Sequence, residues 1–325
     1  MTWLITGGAG YIGSHVIASM REAGERVVVV DDLSGGDPAR VPEDVPLERG
    51  TVLDRPFLDR VLREHAVHGI VHLAAKKAVG ESVERPLFYY HENVTGLQVL
   101  LAAAADAGVR SFVFSSSASV YGTPDVDLVT EETPCRPLSP YGETKLAGEW
   151  LVRATGRAHG MSTACLRYFN VAGAAAPALA DTGVFNLVPM VFERLAAGLP
   201  PRIFGDDYAT PDGTCVRDYI HVADIADAHL AVARRLDERA RAGSGGDLTL
   251  NIGSGEGVSV REMIDLIGEV TGLDATPEIV DRRPGDPANV VASAERIAAE
   301  LGWKARHDVR SMIASAWESR VHPAE

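Results

Sequence analysis

Tyr141 and Lys145 stand four residues apart in Ser139-Pro140-Tyr141-Gly142-Glu143-Thr144-Lys145. Pro140 suits the first turn of a helix, so both side chains project from one helical face. The bland use of such a pair is a half-buried ring beside a solvated ammonium. Its chemical use is different. A phenol with a pKa near about 10 is a poor base at neutral pH. A cation about 4 Å away, at an effective dielectric of about 20, contributes roughly 4 kcal/mol or about 3 pKa units toward the phenolate. A tyrosine tuned in this way can exchange protons with an alcohol, and Ser115-Ser116-Ser117 at the end of an apolar run offers hydroxyls to join it.

A second constellation lies upstream. Gly7, Gly10 and Gly13 form Gly-x-x-Gly-x-x-Gly directly after the apolar run Trp3 to Thr6, and open a helical pattern from Tyr11 to about Ala23. The first glycine permits a tight turn, the second lets backbone approach a pyrophosphate, and the third allows close helix-to-strand packing. Amides at the helix start attract phosphate charge. Asp31 and Asp32 end the next apolar run. A carboxylate at Asp31 can accept hydrogen bonds from the adenosine ribose hydroxyls and would repel a 2′-phosphate, which points to NAD rather than NADP.

These residues need a scaffold, and the chain supplies one. Strand candidates Trp3 to Thr6, Arg26 to Val30, Gly69 to Leu73, Ser111 to Phe114 and Thr163 to Leu166 alternate with amphipathic segments, the pattern of an α/β fold. We expect a Rossmann-type doubly wound parallel sheet with a smaller, discontinuous α+β substrate domain. The dinucleotide domain is expected over 1–170, with segments near 215–255 returning to it, and the substrate domain over 171–325. Alternation weakens after about residue 170, where a loop-rich stretch from Gly173 through Asp212 begins; Asp224 to Arg234 reads as helix, Leu248 to Ile252 as strand and 240–246 as a surface loop.

Composition narrows the partners. The 325 residues are 46% hydrophobic and 23% charged, ordinary values for a globular chain, and the formal net charge of −14 disfavours nucleic acid and anionic lipid. The three cysteines, Cys135, Cys165 and Cys215, lack paired spacing, which argues for a reducing cytoplasmic compartment and against disulfides or a zinc site. The ten histidines make no metal-ligand pattern, so no metal is expected. No signal peptide or apolar run long enough to cross a membrane is evident; Leu100 to Ala105 is short and followed by Asp106.

Further segments bear on identity: Lys76-Lys77-Ala78-Val79-Gly80-Glu81-Ser82-Val83, Arg167-Tyr168-Phe169-Asn170-Val171-Ala172-Gly173-Ala174, Phe204-Gly205-Asp206-Asp207-Tyr208, and Asp212-Gly213-Thr214-Cys215-Val216-Arg217-Asp218-Tyr219-Ile220-His221-Val222. With the glycine turn and the Tyr-Lys pair, they make the chain resemble, over nearly its whole length, the extended short-chain dehydrogenase/reductase family, and within it the UDP-glucose 4-epimerases. The resemblance implies an NAD-dependent isomerase acting on a UDP-hexose through a 4-keto sugar. Ser117 would bond the sugar's 4-hydroxyl, Tyr141 would be the acid/base, and Lys145 would bond the nicotinamide ribose and lower the phenol pKa. It implies cofactor contacts at Gly7, Gly10, Tyr11, Ile12, Gly13, Asp31, Asp32, Val52, Leu73, Ala74, Lys77, Asn93, Tyr141, Lys145 and Tyr168. Arg217 and Arg283 would hold the diphosphate, Asp286 the uridine ribose and Phe204 the uracil, with Lys77, Asn170, Asn186, Leu187, Tyr219 and Val290 completing the substrate set. Phe204 and Tyr219 read equally as core aromatics, and Lys76 reads as solvated. A homodimer through helices near 91–105 and 144–156 is also implied.

Two departures stand out. Thr51 occupies a position near the adenine where the family often has an acid. Val290, four on from Asp286, replaces the tyrosine or cysteine that gates the family's sugar pocket, which predicts tolerance of N-acetylated sugars. The rival enzymes are nucleotide-sugar 4,6-dehydratases and UDP-glucuronate decarboxylases, which usually carry a carboxylate just before Val-Tyr-Gly; here Ala118 and Ser119 precede Val120-Tyr121-Gly122. A noncatalytic NAD-binding regulator would not need the Ser-Tyr-Lys set.

Overall fold

The computed structural model describes residues 1–184, 186–283 and 285–321. In chain order its strands are β1 (Thr2–Thr6), β2 (Arg26–Asp31), β3 (Leu47–Arg49), β4 (Gly69–His72), β5 (Ser111–Ser117), β6 (Ser162–Tyr168), β7 (Asn170–Ala172), β8 (Arg202–Phe204), β9 (Val216–His221), β10 (Asp247–Ile252), β11 (Gly257–Ser259), β12 (Glu278–Val280) and β13 (Asn289–Val290). The helices are α1 (Tyr11–Glu22), α2 (Arg55–Glu64), α3 (Val79–Glu84), α4 (Pro86–Tyr90), α5 (Gly96–Asp106), α6 (Pro140–His159), α7 (Leu187–Ala196), α8 (Val222–Arg241), α9 (Val260–Thr271), α10 (Glu295–Leu301) and α11 (Val309–Val321). None is long and apolar enough to cross a membrane, among the described residues.

By compactness the chain divides into two units. One takes Met1–Val120, Pro137–Arg167 and Ala226–Leu250; the other takes Tyr121–Arg136, Tyr168–Ile225 and the chain from Asn251 onward. The late return to the first unit thus begins after β9 rather than near 215. Tyr121–Arg136 also belongs to the second unit, for reasons no local pattern carries. The Tyr121 hydroxyl donates to Asn251 Oδ1 at 2.6 Å, Asn251 Nδ2 donates to the Val129 carbonyl at 2.8 Å, and Val129 N donates to the Val291 carbonyl at 2.7 Å.

The larger sheet has seven strands in the order β10-β6-β5-β4-β1-β2-β3. Its central pairs are parallel, with Leu4 beside both Val28 and Ile70, and Ile70 beside Phe112. Those four side chains pack with Leu58 and Val61 of α2, Leu97 and Leu100 of α5 and Val152 of α6 in one buried cluster. Each such burial is worth about 1.5–3 kcal/mol. The order reverses at β1, with β2 on one side and β4 on the other. In sheets of this kind, ligands bind in the crevice at the carboxyl ends of the strands flanking such a switch.

In the second unit β9 is the hub: β11 pairs with it antiparallel, β7 and β13 parallel. β8 and β12 form a separate parallel pair. Val188, Val191 and Phe192 of α7, Met263, Ile264 and Ile267 of α9, and Met312 and Ile313 of α11 make its core with Tyr219 and Ile203.

Candidate active site

The glycine turn follows β1 directly. Gly7 has φ +74, and a Cβ there would lie 2.7 Å from the Ala74 nitrogen; at Gly13 it would lie 2.3 Å from the Gly7 carbonyl oxygen. Neither position admits a side chain. Gly10 caps α1 without any side-chain bond, whereas Asp54, Ser139 and Ser259 cap α2, α6 and α9 with side-chain oxygens. The helix therefore opens on the amides of Tyr11, Ile12 and Gly13, which have no intrahelical acceptor and suit a diphosphate. Asp31 is buried at the end of β2. Its Oδ2 accepts from Ala9 N at 3.0 Å and its Oδ1 from Leu33 N at 2.9 Å, while burial pushes its carboxyl above the ordinary value. Asp31 thus also braces the glycine turn, a role that spacing does not announce. Burial raises Asp32 too, but hydrogen bonds from the Ser34 hydroxyl and amide outweigh it and leave that carboxyl lowered.

Other expected cofactor residues of the first unit lie on the chain after β3 and after β4. Leu73 N donates to the Thr6 carbonyl at 3.0 Å. Val52 is half-buried against Gly96. Thr51 Oγ1 accepts from Leu53 N at 3.2 Å, a local turn bond. Asn93 is buried, its Oδ1 accepting from Lys76 N at 2.8 Å and its Nδ2 donating to the Lys76 carbonyl at 3.0 Å and to Thr144 Oγ1 at 3.1 Å. It ties the segment after β4 to the helix of the Tyr-Lys pair. Lys77 is exposed, whereas Lys76 is half-buried and donates through Nζ to Ser34 Oγ at 2.8 Å, drawn there by that hydroxyl and the Asp32 charge. Tyr168, buried at the end of β6, belongs to the second unit. The uncapped helix start, the side-chain-free turn and the strand-end carboxylate fit a dinucleotide.

The Tyr-Lys pair sits on α6, whose Ser139 cap accepts from Gly142 N at 3.2 Å with Pro140 in the first turn. α6 lies tight on β5, since a Cβ at Gly148 would come within 2.4 Å of the Phe114 ring. Lys145 is buried, and its Nζ donates to the Ser115 carbonyl at 2.7 Å, 5.8 Å from the centre of the Tyr141 ring. The Ser117 hydroxyl bonds both Ser119 Oγ, at 3.1 Å, and the Tyr141 phenol. Serine, tyrosine and lysine are therefore together, but the expected pKa is not. Burial pushes the phenol above its ordinary value, with only the Ser117 bond pulling it down, and burial lowers Lys145 to about 7. Desolvation opposes both charges. Nearby, His72 is stacked on Phe114 and bonded to Thr6 Oγ1 at 2.7 Å, and burial lowers it to about 3. It is neutral near pH 7.

In the second unit the expected substrate residues gather around β9. Arg217 lies 3.5 Å from Asp286 and beside Val290 in register. Asn170, opposite Tyr219 in register, donates through Nδ2 to the Asp218 carbonyl at 3.1 Å. Arg283 is exposed, its guanidinium 3.6 Å above the Phe204 ring. Asn186 caps α7, with Nδ2 3.4 Å from Asp181, and Leu187 begins that helix against the core. Tyr219 takes the core reading and Val290 is buried too, whereas Phe204 is half-exposed. Sequence reasoning missed Asp218. This fully buried carboxylate accepts from Ser254 N, Ser254 Oγ, Gly255 N and Ala292 N, so it stitches the strand of Arg217 to the chain just past Val290. Among the described residues no group of three or more His, Cys, Asp or Glu could hold a metal ion.

A doubly wound sheet with an uncapped glycine turn and a Ser-Tyr-Lys set on adjoining strand and helix defines a short-chain dehydrogenase/reductase of the extended type. Residues 3–253 match the NAD dependent epimerase/dehydratase family. The chain belongs to that family. It is 45% identical over 324 residues to a UDP-glucose 4-epimerase of Azospirillum brasilense, covering 97% of this chain and 91% of that one. It superposes with TM-score 0.92 and 41% identity on the UDP-glucose 4-epimerase of Stenotrophomonas maltophila with bound NAD and formylated UDP-arabinopyranose, covering 99% and 98% of the two chains. The UDP-Glc/GlcNAc 4-epimerase of Campylobacter jejuni is similar at TM-score 0.86 and 34% identity, over 99% of each.

Proposed function

We infer that this chain is an NAD-dependent UDP-glucose 4-epimerase that interconverts UDP-galactose and UDP-glucose through a 4-keto sugar. The observation that carries the reading is the bond between the Ser117 hydroxyl and the Tyr141 phenol, with Ala118 and Ser119 where a dehydratase or decarboxylase would place its extra acid. Bound NAD would accept the hydride from carbon 4 and return it, and its nicotinamide would add positive charge. Gly7, Gly10, Tyr11, Ile12 and Gly13 hold the diphosphate of the cofactor, Asp31 its adenosine ribose, and Lys145 its nicotinamide ribose. Ser117 bonds the 4-hydroxyl while Tyr141, as the phenolate that the nicotinamide charge would favour, takes its proton and later restores one to the same oxygen. Proton and hydride both return, so the reaction is redox-neutral.

Arg217 and Arg283 grip the substrate diphosphate with guanidinium forks that match its oxygens. Asp286 takes the uridine ribose and Phe204 the uracil face. The grip belongs on the nucleotide because a hexose fixed in one pose would regain hydride on its original face. Val290, smaller than a tyrosine, admits the N-acetyl group, a reading the Campylobacter jejuni relative supports by name. Exposed Trp150 on α6, at 60%, supports a homodimer through the helices near 91–105 and 144–156. Three free cysteines support a reducing, cytoplasmic setting.

Incubation with UDP-galactose and no added reductant tests the function. The expected product is UDP-glucose; a deoxy-keto sugar would make the chain a dehydratase, and no product would make it a binding protein.

A further inference from the structure

Ser115, Ser116 and Ser117 are consecutive on β5, and each meets a different residue of one face of α6. The Ser115 carbonyl accepts from Lys145, the Ser117 hydroxyl bonds Tyr141, and between them Ser116 Oγ donates to Glu149 Oε1 at 2.6 Å. Tyr141, Lys145 and Glu149 follow one another at intervals of four, so they line the same side of the helix. The Glu149 side chain is fully buried. It is held from the far side by Arg167 of β6, whose Nε donates to Oε1 at 2.8 Å and whose Nη2 donates to Oε2 at 2.7 Å. Arg153 stands 3.5 Å away on the next helical turn. This carboxylate therefore joins three elements, the end of β5, α6 and β6, in a two-pronged geometry that fixes direction as well as distance.

Nothing in the reaction requires Glu149 to touch substrate or cofactor. Its place in the network assigns another duty. Lys145 and Tyr141 reach their partners only if α6 keeps its depth and its rotation against β5, and a rotation that slid Ser116 off Glu149 would carry Ser115 and Ser117 with it. We propose that Glu149, held by Arg167 and acting through Ser116, is a positioning residue that sets the registration of Tyr141 and Lys145 on the end of β5. The reasoning rests on the epimerase reading for its rate consequences, but not for its structural one.

The test uses the NAD-loaded enzyme and the variants Ser116→Ala, Ser116→Thr and Glu149→Gln. Ser116→Ala removes one hydroxyl and leaves the Glu149–Arg167 pair in place, so it keeps the proposal testable if Glu149→Gln fails to fold. Expected for Ser116→Ala are a roughly tenfold loss of kcat with UDP-galactose at unchanged KM, a displaced pH–kcat profile, and recovery of most of the rate in Ser116→Thr. A second readout needs no turnover. The ultraviolet titration of Tyr141, taken as the difference between each protein and its Tyr141→Phe counterpart, is expected to move by about half a unit or more in Ser116→Ala, a change of about 0.7 kcal/mol in the proton equilibrium. A wild-type protein that fails to epimerise would sink the functional reading and leave this titration decisive. A Tyr141 titration unmoved by Ser116→Ala, or a Ser116→Ala enzyme with wild-type kcat and pH profile, overturns the positioning role.

Discussion

The Lys145 ammonium donates to the Ser115 carbonyl at 2.7 Å, inside a region where burial alone lowers its pKa to about 7. Since the ordinary value is 10.5, the native state of nucleotide-free protein releases this proton while the unfolded chain still holds it. Below about pH 7 both states are charged and the burial penalty is complete. Between about pH 7 and 10.5 the unfolded state binds more protons, so native stability rises with pH. Lys145→Met has no such term. Chemical denaturation of the nucleotide-free proteins from pH 6 to 10 is expected to show wild type gaining on the variant as pH rises. A constant difference would show that the lysine is not desolvated.

Asp31 serves the glycine turn as well as the cofactor, because both carboxylate oxygens accept backbone amides. Asp31→Ala should therefore lose bound NAD and also lower stability by about 1–3 kcal/mol, read by nucleotide release on denaturation and by a urea midpoint. Loss of NAD with an unchanged midpoint would leave Asp31 as a ribose ligand only.

Arg217 stands on β9 with Asp286 and Val290 at its side. Arg217→Leu should raise KM for UDP-galactose at least tenfold while kcat falls much less, because the lost contact is to the diphosphate and not to carbon 4. Steady-state kinetics decide; an equal fall in kcat at constant KM would place Arg217 in the chemical step.

The small side chain at Val290 predicts turnover of UDP-N-acetylglucosamine above the level given by Tyr141→Phe. Product analysis indistinguishable from that background would refute the specificity reading.

The parts legible in the sequence were those whose logic is local. The glycine turn, the carboxylates ending β2 and the four-residue step from Tyr141 to Lys145 declare themselves through spacing, and six strands of the larger sheet through short apolar runs. β3 escaped because Leu47–Arg49 is three residues long and only half-buried at best. Glu149, Arg167 and Asp218 escaped because their meaning lies in partners far along the chain: an isolated glutamate four residues past a lysine reads as surface charge until Ser116 and Arg167 are seen to close on it. The phenol pKa was misjudged for a physical reason. Coulomb attraction from Lys145 can be imagined from sequence, but the desolvation that opposes it depends on how deeply α6 lies on β5, and on a carbonyl that claims the ammonium first.

The claim beneath all of this is that hydrogen leaves carbon 4 as hydride and returns to the same carbon without meeting solvent. UDP-galactose bearing deuterium at carbon 4, converted by the NAD-loaded enzyme in ordinary water and analysed by NMR, tests it directly. The account predicts UDP-glucose with the deuterium still on carbon 4. Product carrying solvent hydrogen there would contradict it.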